Sequence, residues 1–137
     1  EKLHNKILVI YSSERFFPVA YKWKINFNEN TKTMAFCNAF PEMNHNEING
    51  YKFMSKNIIP IFLKNKNDHP QIKRRMEITK KLIGVESINI EMKGDSLLAN
   101  IFSTIHVGDL VSYYLAKKYG IDPEPVEVVE RLKRELK

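Results

Sequence analysis

A chain of 137 residues, 43% of them apolar, is the size of one domain with a single core. Twenty-two Lys and Arg against sixteen Asp and Glu leave a formal net charge of +6, which points to nucleic acid or to an anionic metabolite as partner. No apolar run reaches membrane-spanning length, and a single cysteine, Cys37, excludes an internal disulfide framework and fits a reducing, cytoplasmic compartment.

The start, EKLHNKILVIYSS, shows no secretory signal. Its short β-branched run, Lys6–Ser13, reads as a central strand that ends in small polar residues. From Phe16 to Phe27 the apolar residues Phe17, Ala20, Tyr21, Trp23 and Phe27 recur at helical spacing, and Pro18 suits a first turn. Thr33–Phe40 is a second, buried strand that Pro41 ends, with Cys37 expected as a buried structural thiol. A short helix is expected between His45 and Met54. Ile58–Leu63 is a third strand, with Pro60 implying a bulge or an edge position.

Asp68, His69 and Pro70 mark the start of a helix over Gln71–Ile83, with Ile72, Met76, Thr79 and Ile83 on one face and Gly84 as its stop. Ser87–Met92 alternates apolar and polar and reads as a fourth strand exposed on one face. Ser96–Tyr119 is a long helix with apolar Leu97, Ile101, Ile105, Leu110, Tyr114 and Leu115, ended by Gly120. Val126–Leu136 is a last helix with Val128, Val129, Leu132 and Leu136 expected inward. Trp23, Tyr113, Tyr114 and Tyr119 are expected in core or interface. The alternation predicts one α/β domain over residues 1–137, with a mainly parallel sheet of four to five strands flanked by helices.

Ligands of such sheets gather beyond the carboxyl ends of the strands, where Ser12, Ser13 and the segment after Phe40 fall. Two residues there and nearby have the chemistry of proton transfer. Glu29, between Asn28 and Asn30, is a carboxylate at the end of the first helix. His45, bracketed by Glu42 and Glu47, is an imidazole that titrates near neutrality. A desolvated carboxylate is a competent base for a carbon-bound proton, and an imidazole passes a proton to and from a ring oxygen. On residue type alone, an exposed Glu near a helix end and a surface or capping His are the commoner outcomes. His4, His69 and His106 are weaker candidates, and no histidine shares metal-ligand spacing with acids or with Cys37. Lys133, in RLKRELK, reads as part of a solvated helix face.

Four ordered blocks carry a further signal: VIYSSERFFPVAYKWKINFNENTK, PEMNHNEING, HPQIKRRMEIT and IHVGDLVSYYLAKKYGIDPEPVEVVERLK. Together they resemble the C-terminal half of the bifunctional phosphoglucose/phosphomannose isomerases, which carry two sugar-isomerase (SIS) domains in tandem. The resemblance implies a three-layer Rossmann-like SIS fold. It implies interconversion of glucose 6-phosphate or mannose 6-phosphate with fructose 6-phosphate, without metal or organic cofactor. It assigns Glu29 as the base between C2 and C1, His45 to ring opening in the site of a partner subunit, and Lys133 to the ring-oxygen region. Ser12, Ser13, Asn28, Asn30 and Val126 are expected near substrate.

Val126 stands where relatives set Thr or Gln, which puts acceptance of the mannose epimer in question. The family's Gly/Ser-rich phosphate loops belong to the N-terminal half and have no counterpart here. The expected partners are therefore a phosphosugar, that N-terminal SIS half and a second copy with shared sites. A non-catalytic phosphosugar-binding module is the alternative. Nucleic-acid binding is disfavoured by scattered lysines and the lack of a known binding signature, and no membrane partner is expected.

Overall fold

The computed structural model describes residues 2–53 and 57–137. Met54, where the sequence reading ended a short helix, lies outside the described residues. The elements are β1 (Ile7–Ser13), α1 (Phe17–Asn30), β2 (Ala35–Phe40), α2 (Glu47–Gly50), β3 (Ile58–Lys64), α3 (Pro70–Ile83), β4 (Ile88–Glu91), α4 (Leu97–Tyr119) and α5 (Glu127–Glu135). Short 3-10 turns at Glu14–Phe16, Glu42–Asn44 and Tyr51–Phe53 connect them. The sheet is parallel throughout, in the order β2-β1-β3-β4, with Ile10 beside both Cys37 and Ile61 and with Ile61 beside Ile88.

One face of the sheet presents Leu8, Ile10, Ala35, Ile59, Ile61 and Leu63 to Val19, Ala20, Trp23 and Phe27 of α1 and to Leu115 of α4. The other face presents Tyr11, Phe40 and Phe62 to Met43, Met76 and Ile83. Each large side chain removed from water in these layers contributes about 1.5–3 kcal/mol before entropy is charged against it. The α/β architecture and parallel sheet expected from the alternation are present, with four strands among the described residues.

Pro60 is the first departure. It stands in an interior strand, between β1 and β4, and not at an edge. The β3–β4 pairing starts only at Ile61, so at Pro60 the ladder has a neighbour on the β1 side alone and the missing N–H is tolerated. The edge belongs to β2 instead, and the edge position explains why Phe36 is half exposed and Cys37 only partly buried in a strand expected to be covered.

The second departure is α4. Its buried residues are Asn100, Thr104, Gly108, Ser112, Leu115 and Ala116; of the apolar series, Leu115 is buried and Ile101 and Ile105 pack on the core, whereas Leu97, Leu110 and Tyr114 are exposed. The cause is the partner: α1 brings the bulk of Trp23, so α4 must offer small residues opposite it. The indole Nε1 donates to the Thr104 carbonyl at 2.8 Å, and a Cβ built on Gly108 would lie 2.5 Å from Nε1. Asn26 donates to Asp109 at 2.5 Å and Asn30 to Ser112 at 2.8 Å, extending the seam along the helix pair. Tyr113 and Tyr114 face solvent, while Tyr119 is partly buried and stacks on His4.

The third is α5. Val128, Val129, Leu132 and Leu136 are exposed, and Val128 and Val129 face α1 across an open cleft instead of packing into the core.

Candidate active site

A helix that follows a parallel strand runs back against it, so α1 delivers its last turn to the amino rim of the sheet, where β2 begins. That turn is tightly closed. The Phe27 carbonyl accepts from Thr31 Oγ1 at 2.6 Å and from the amides of Thr31 and Thr33 at 3.2 and 3.3 Å. Asn28 Nδ2 donates to the Thr33 carbonyl at 2.9 Å. Lys32 follows in the left-handed region, with φ of 54°, a conformation that costs a non-glycine residue roughly 1 kcal/mol. Its ammonium donates to the Glu29 carbonyl at 2.5 Å and to the Pro123 carbonyl at 3.2 Å. One cation thus satisfies an end-of-helix carbonyl and ties the strap between α4 and α5 to α1.

The tie creates a cleft of about 750 Å³. Lys24, Asn28, Glu29 and Lys32 form one wall, and the strap and the start of α5, including Val126, form the other. Glu29 is exposed at its mouth. Val126 is the N-cap of α5 and offers no side-chain acceptor, so the first amides of that helix are not capped by it. Lys133 stands two turns further along the same helix face, about 10 Å from Val126 along the axis, and is exposed in an ion pair with Glu130 at 2.8 Å. The structure therefore brings Glu29, Asn28 and Val126 together. Asn30 turns away to Ser112, and α5 lines the cleft with residues ahead of Lys133.

The carboxyl rim holds the other expected residues. Ser12 is fully buried and its hydroxyl donates to the Ser13 carbonyl at 3.0 Å. Ser13 donates to Asp68 Oδ1 at 2.6 Å, and Asp68 Oδ2 accepts the Asn65 amide at 3.0 Å. These serines brace the β1 and β3 ends. His69 is the N-cap of α3, its Nδ1 accepting the Gln71 amide, and His106 lies on the exposed face of α4.

His45 is exposed at the end of the Glu42–Asn44 turn that follows β2, its amide donating to the Glu42 carbonyl at 2.9 Å. The bracketing carboxylates face elsewhere. Glu42 accepts from Asn46 at 3.1 Å. Glu47 accepts from Asn38 at 2.6 Å through Oε1 and from the Tyr11 hydroxyl at 3.0 Å through Oε2. Burial, then Tyr51 and Glu47, push the Tyr11 phenol far above its ordinary value, so it stays a donor. Burial also raises the Cys37 thiol, opposed by nearby Lys24, which argues against a nucleophilic thiolate.

Glu29 and His45 consequently stand at opposite rims of one sheet, separated by the length of a strand, on the order of 20 Å. Lys24 and Lys32 escaped the sequence reading. The only local cue was a lysine in the polar segment directly after a helix, a place where cations favour helix carboxyl ends. Among the described residues no group of three or more His, Cys, Asp or Glu is placed to hold a metal ion, and no helix is long and apolar enough to cross a membrane.

Residues 1–136 match the model of the bacterial phospho-glucose isomerase C-terminal SIS domain. A bifunctional phosphoglucose/phosphomannose isomerase of Thermoplasma volcanium is 39% identical over 130 residues, covering 95% of this chain and 43% of its own length. One of Caldicellulosiruptor bescii is 43% identical over 143 residues, covering 98% and 42%. The solved structure of a glucose-6-phosphate isomerase like protein from Thermus thermophilus superposes with a TM-score of 0.74 at 20% identity, over 96% of this chain and 44% of that one. The chain thus spans less than half the length of these relatives.

Proposed function

We propose a function for a chain that, on these matches, belongs to the bacterial phospho-glucose isomerase C-terminal SIS domain family. It is the proton-transfer half of a two-SIS-domain, cytoplasmic aldose–ketose isomerase acting on glucose 6-phosphate or mannose 6-phosphate and fructose 6-phosphate. Glu29 is the base that moves a proton between C2 and C1. His45 assists ring opening in the site of a neighbouring subunit, and Lys133 serves the ring-oxygen region once α5 is seated. The phosphate-binding loops come from the N-terminal half that the relatives' greater length accommodates.

The observation that carries this reading is the amino-rim cleft. It sets a carboxylate on a rigid helix end, in a space lined also by Lys24 and Lys32 and large enough for a hexose phosphate. The cations attract an anionic substrate, and closure by a second domain would supply the desolvation that an exposed Glu29 lacks. The opposite-rim placement of His45 supports a site shared between copies, because within one copy the two groups are a strand's length apart. Val126 presents methyl groups where an epimer-tolerant site would place a polar side chain, so glucose 6-phosphate is the expected preferred aldose.

The test is the isomerase assay on the chain joined to its N-terminal half, with both aldoses, for the wild type and Glu29→Gln. Loss of fructose 6-phosphate formation with retained substrate binding is expected; an active Glu29→Gln enzyme would defeat the assignment.

A further inference from the structure

We propose that Glu47 is the positioning residue for His45: its carboxylate fastens the turn that bears the imidazole to two strands of the sheet. The inference rests on the shared-site reading of His45 given above.

The segment between β2 and β3 has little regular structure to hold itself. Its described residues form two 3-10 turns and a four-residue helix, each too short to persist without tertiary support. Only Met43 is buried in the first turn, and α2 has no buried residue. Asn44 Nδ2 donates to Thr79 at 2.8 Å and to the neighbouring Met43 sulfur at 3.1 Å, but its amide oxygen is buried without a hydrogen-bond partner, a cost that offsets what the donor gains.

Glu47 is different. Both of its oxygens are engaged by side chains of the sheet, Asn38 on β2 and Tyr11 on β1. Tyr11 is itself fixed: it is 1% exposed, packs on the rings of Phe40 and Phe62, and shares a bond with the Tyr51 hydroxyl at 3.0 Å. Bonds to an ionised acceptor are the strong ones. The anchor also closes both ends of the segment, since Glu47 and Tyr51 both meet Tyr11. His45 lies two residues before the anchor and projects outward from a turn pinned at 43, 44 and 47. A carboxylate that never touches the imidazole thereby fixes where it stands, and a displacement of about 1 Å at a reacting group lowers a rate by up to about 100-fold.

The experiment uses the protein carrying its N-terminal half, with Glu47→Ala and Glu47→Gln beside Glu29→Gln and His45→Ala. Glu47→Ala is expected to lower kcat at least tenfold while KM moves less than threefold, and Glu47→Gln, which keeps an acceptor for Tyr11, to retain more. A merely structural role would not predict the pattern in subunit-exchanged hybrids. Glu47→Ala mixed with Glu29→Gln should regain activity above either parent, whereas Glu47→Ala mixed with His45→Ala should not. Should Glu47→Ala not fold, Asn38→Ala, which removes one of the two anchoring bonds, is carried through the same hybrids. A wild-type kcat in Glu47→Ala, or hybrids that recover with His45→Ala and not with Glu29→Gln, would overturn the inference. Failure of Glu29→Gln and His45→Ala to complement each other would overturn the shared site and the inference with it. Success of that pair beside failure of the Glu47→Ala and Glu29→Gln pair overturns the inference alone.

Discussion

Glu29 stands on the last turn of a fourteen-residue helix whose middle is locked by the buried Trp23, whereas His45 stands on an irregular turn locked by side-chain hydrogen bonds. The first is placed by packing and inherits the rigidity of the α1–α4 pair. The second is placed by a few polar bonds and by the packing of Met43, Ile48 and Tyr51 on the sheet, without a long helix behind it. The difference suits the proposed roles. A base that takes a carbon-bound proton needs fixed geometry within its own domain, while a group that reaches into another copy's site must project beyond the domain's surface.

The largest effect expected at either rim is chemical. Glu29→Gln should lower kcat by about 100- to 10,000-fold, the range for loss of a general base, with the folded state unchanged by circular dichroism. The next strikes the packing that places Glu29. Gly108→Ala drives a methyl into the Trp23 indole, a rigid buried ring held by its bond to the Thr104 carbonyl, so the ring or the helix pair must shift. A loss of about 1–3 kcal/mol in denaturant unfolding is expected, with isomerase activity falling alongside, because Glu29 rides on the displaced helix.

Lys32→Met, which cuts the tie between α1 and the strap without touching the core, should leave stability within about 1 kcal/mol. It should raise KM several-fold by loosening α5 over the cleft, an effect that Lys32→Arg largely avoids. The smallest belongs to the carboxyl rim. The Lys64 ammonium, bonded at 2.9 Å, holds the Glu77 carboxyl below its usual range. A depressed folded value means the pair stabilises above the unfolded pKa of about 4.3 and stops doing so as pH falls through the folded one. Glu77 is half exposed, so the wild-type advantage over Glu77→Gln should be below about 1 kcal/mol at neutral pH and absent near pH 2–3 in thermal unfolding.

Much of this was legible along the chain wherever an element's surroundings are its own neighbours in sequence. β1, α3 with Met76, Thr79 and Ile83 inward, and the Gly84 stop at φ 63° followed from periodicity and turn chemistry. The faces of α4 and α5 did not follow, because which side of a helix is inward depends on what opposes it. Trp23 demanded Gly108 and Thr104 where periodicity offered Leu110, and α5 meets α1 across an open cleft that leaves its apolar residues in solvent. Glu29 was singled out by its motif; that Lys32 would reach the Pro123 carbonyl ninety-one positions away was invisible, since a strap's path is set by tertiary contacts. Ser12 and Ser13 sat at the rim where ligands gather, yet Asp68 and the Ser13 carbonyl take up their hydroxyls.

On the proposed shared site, a carboxylate at one rim and an imidazole at the other work on one sugar only when two copies meet. Inactive Glu29→Gln and inactive His45→Ala proteins, each carrying the N-terminal half, are mixed under subunit exchange and assayed for fructose 6-phosphate. Half of the dimers are then hybrids with one intact site of two, so activity should return to about a quarter of wild type. A mixture no more active than its two parents, with exchange confirmed by mass, would mean that the two groups do not share a site.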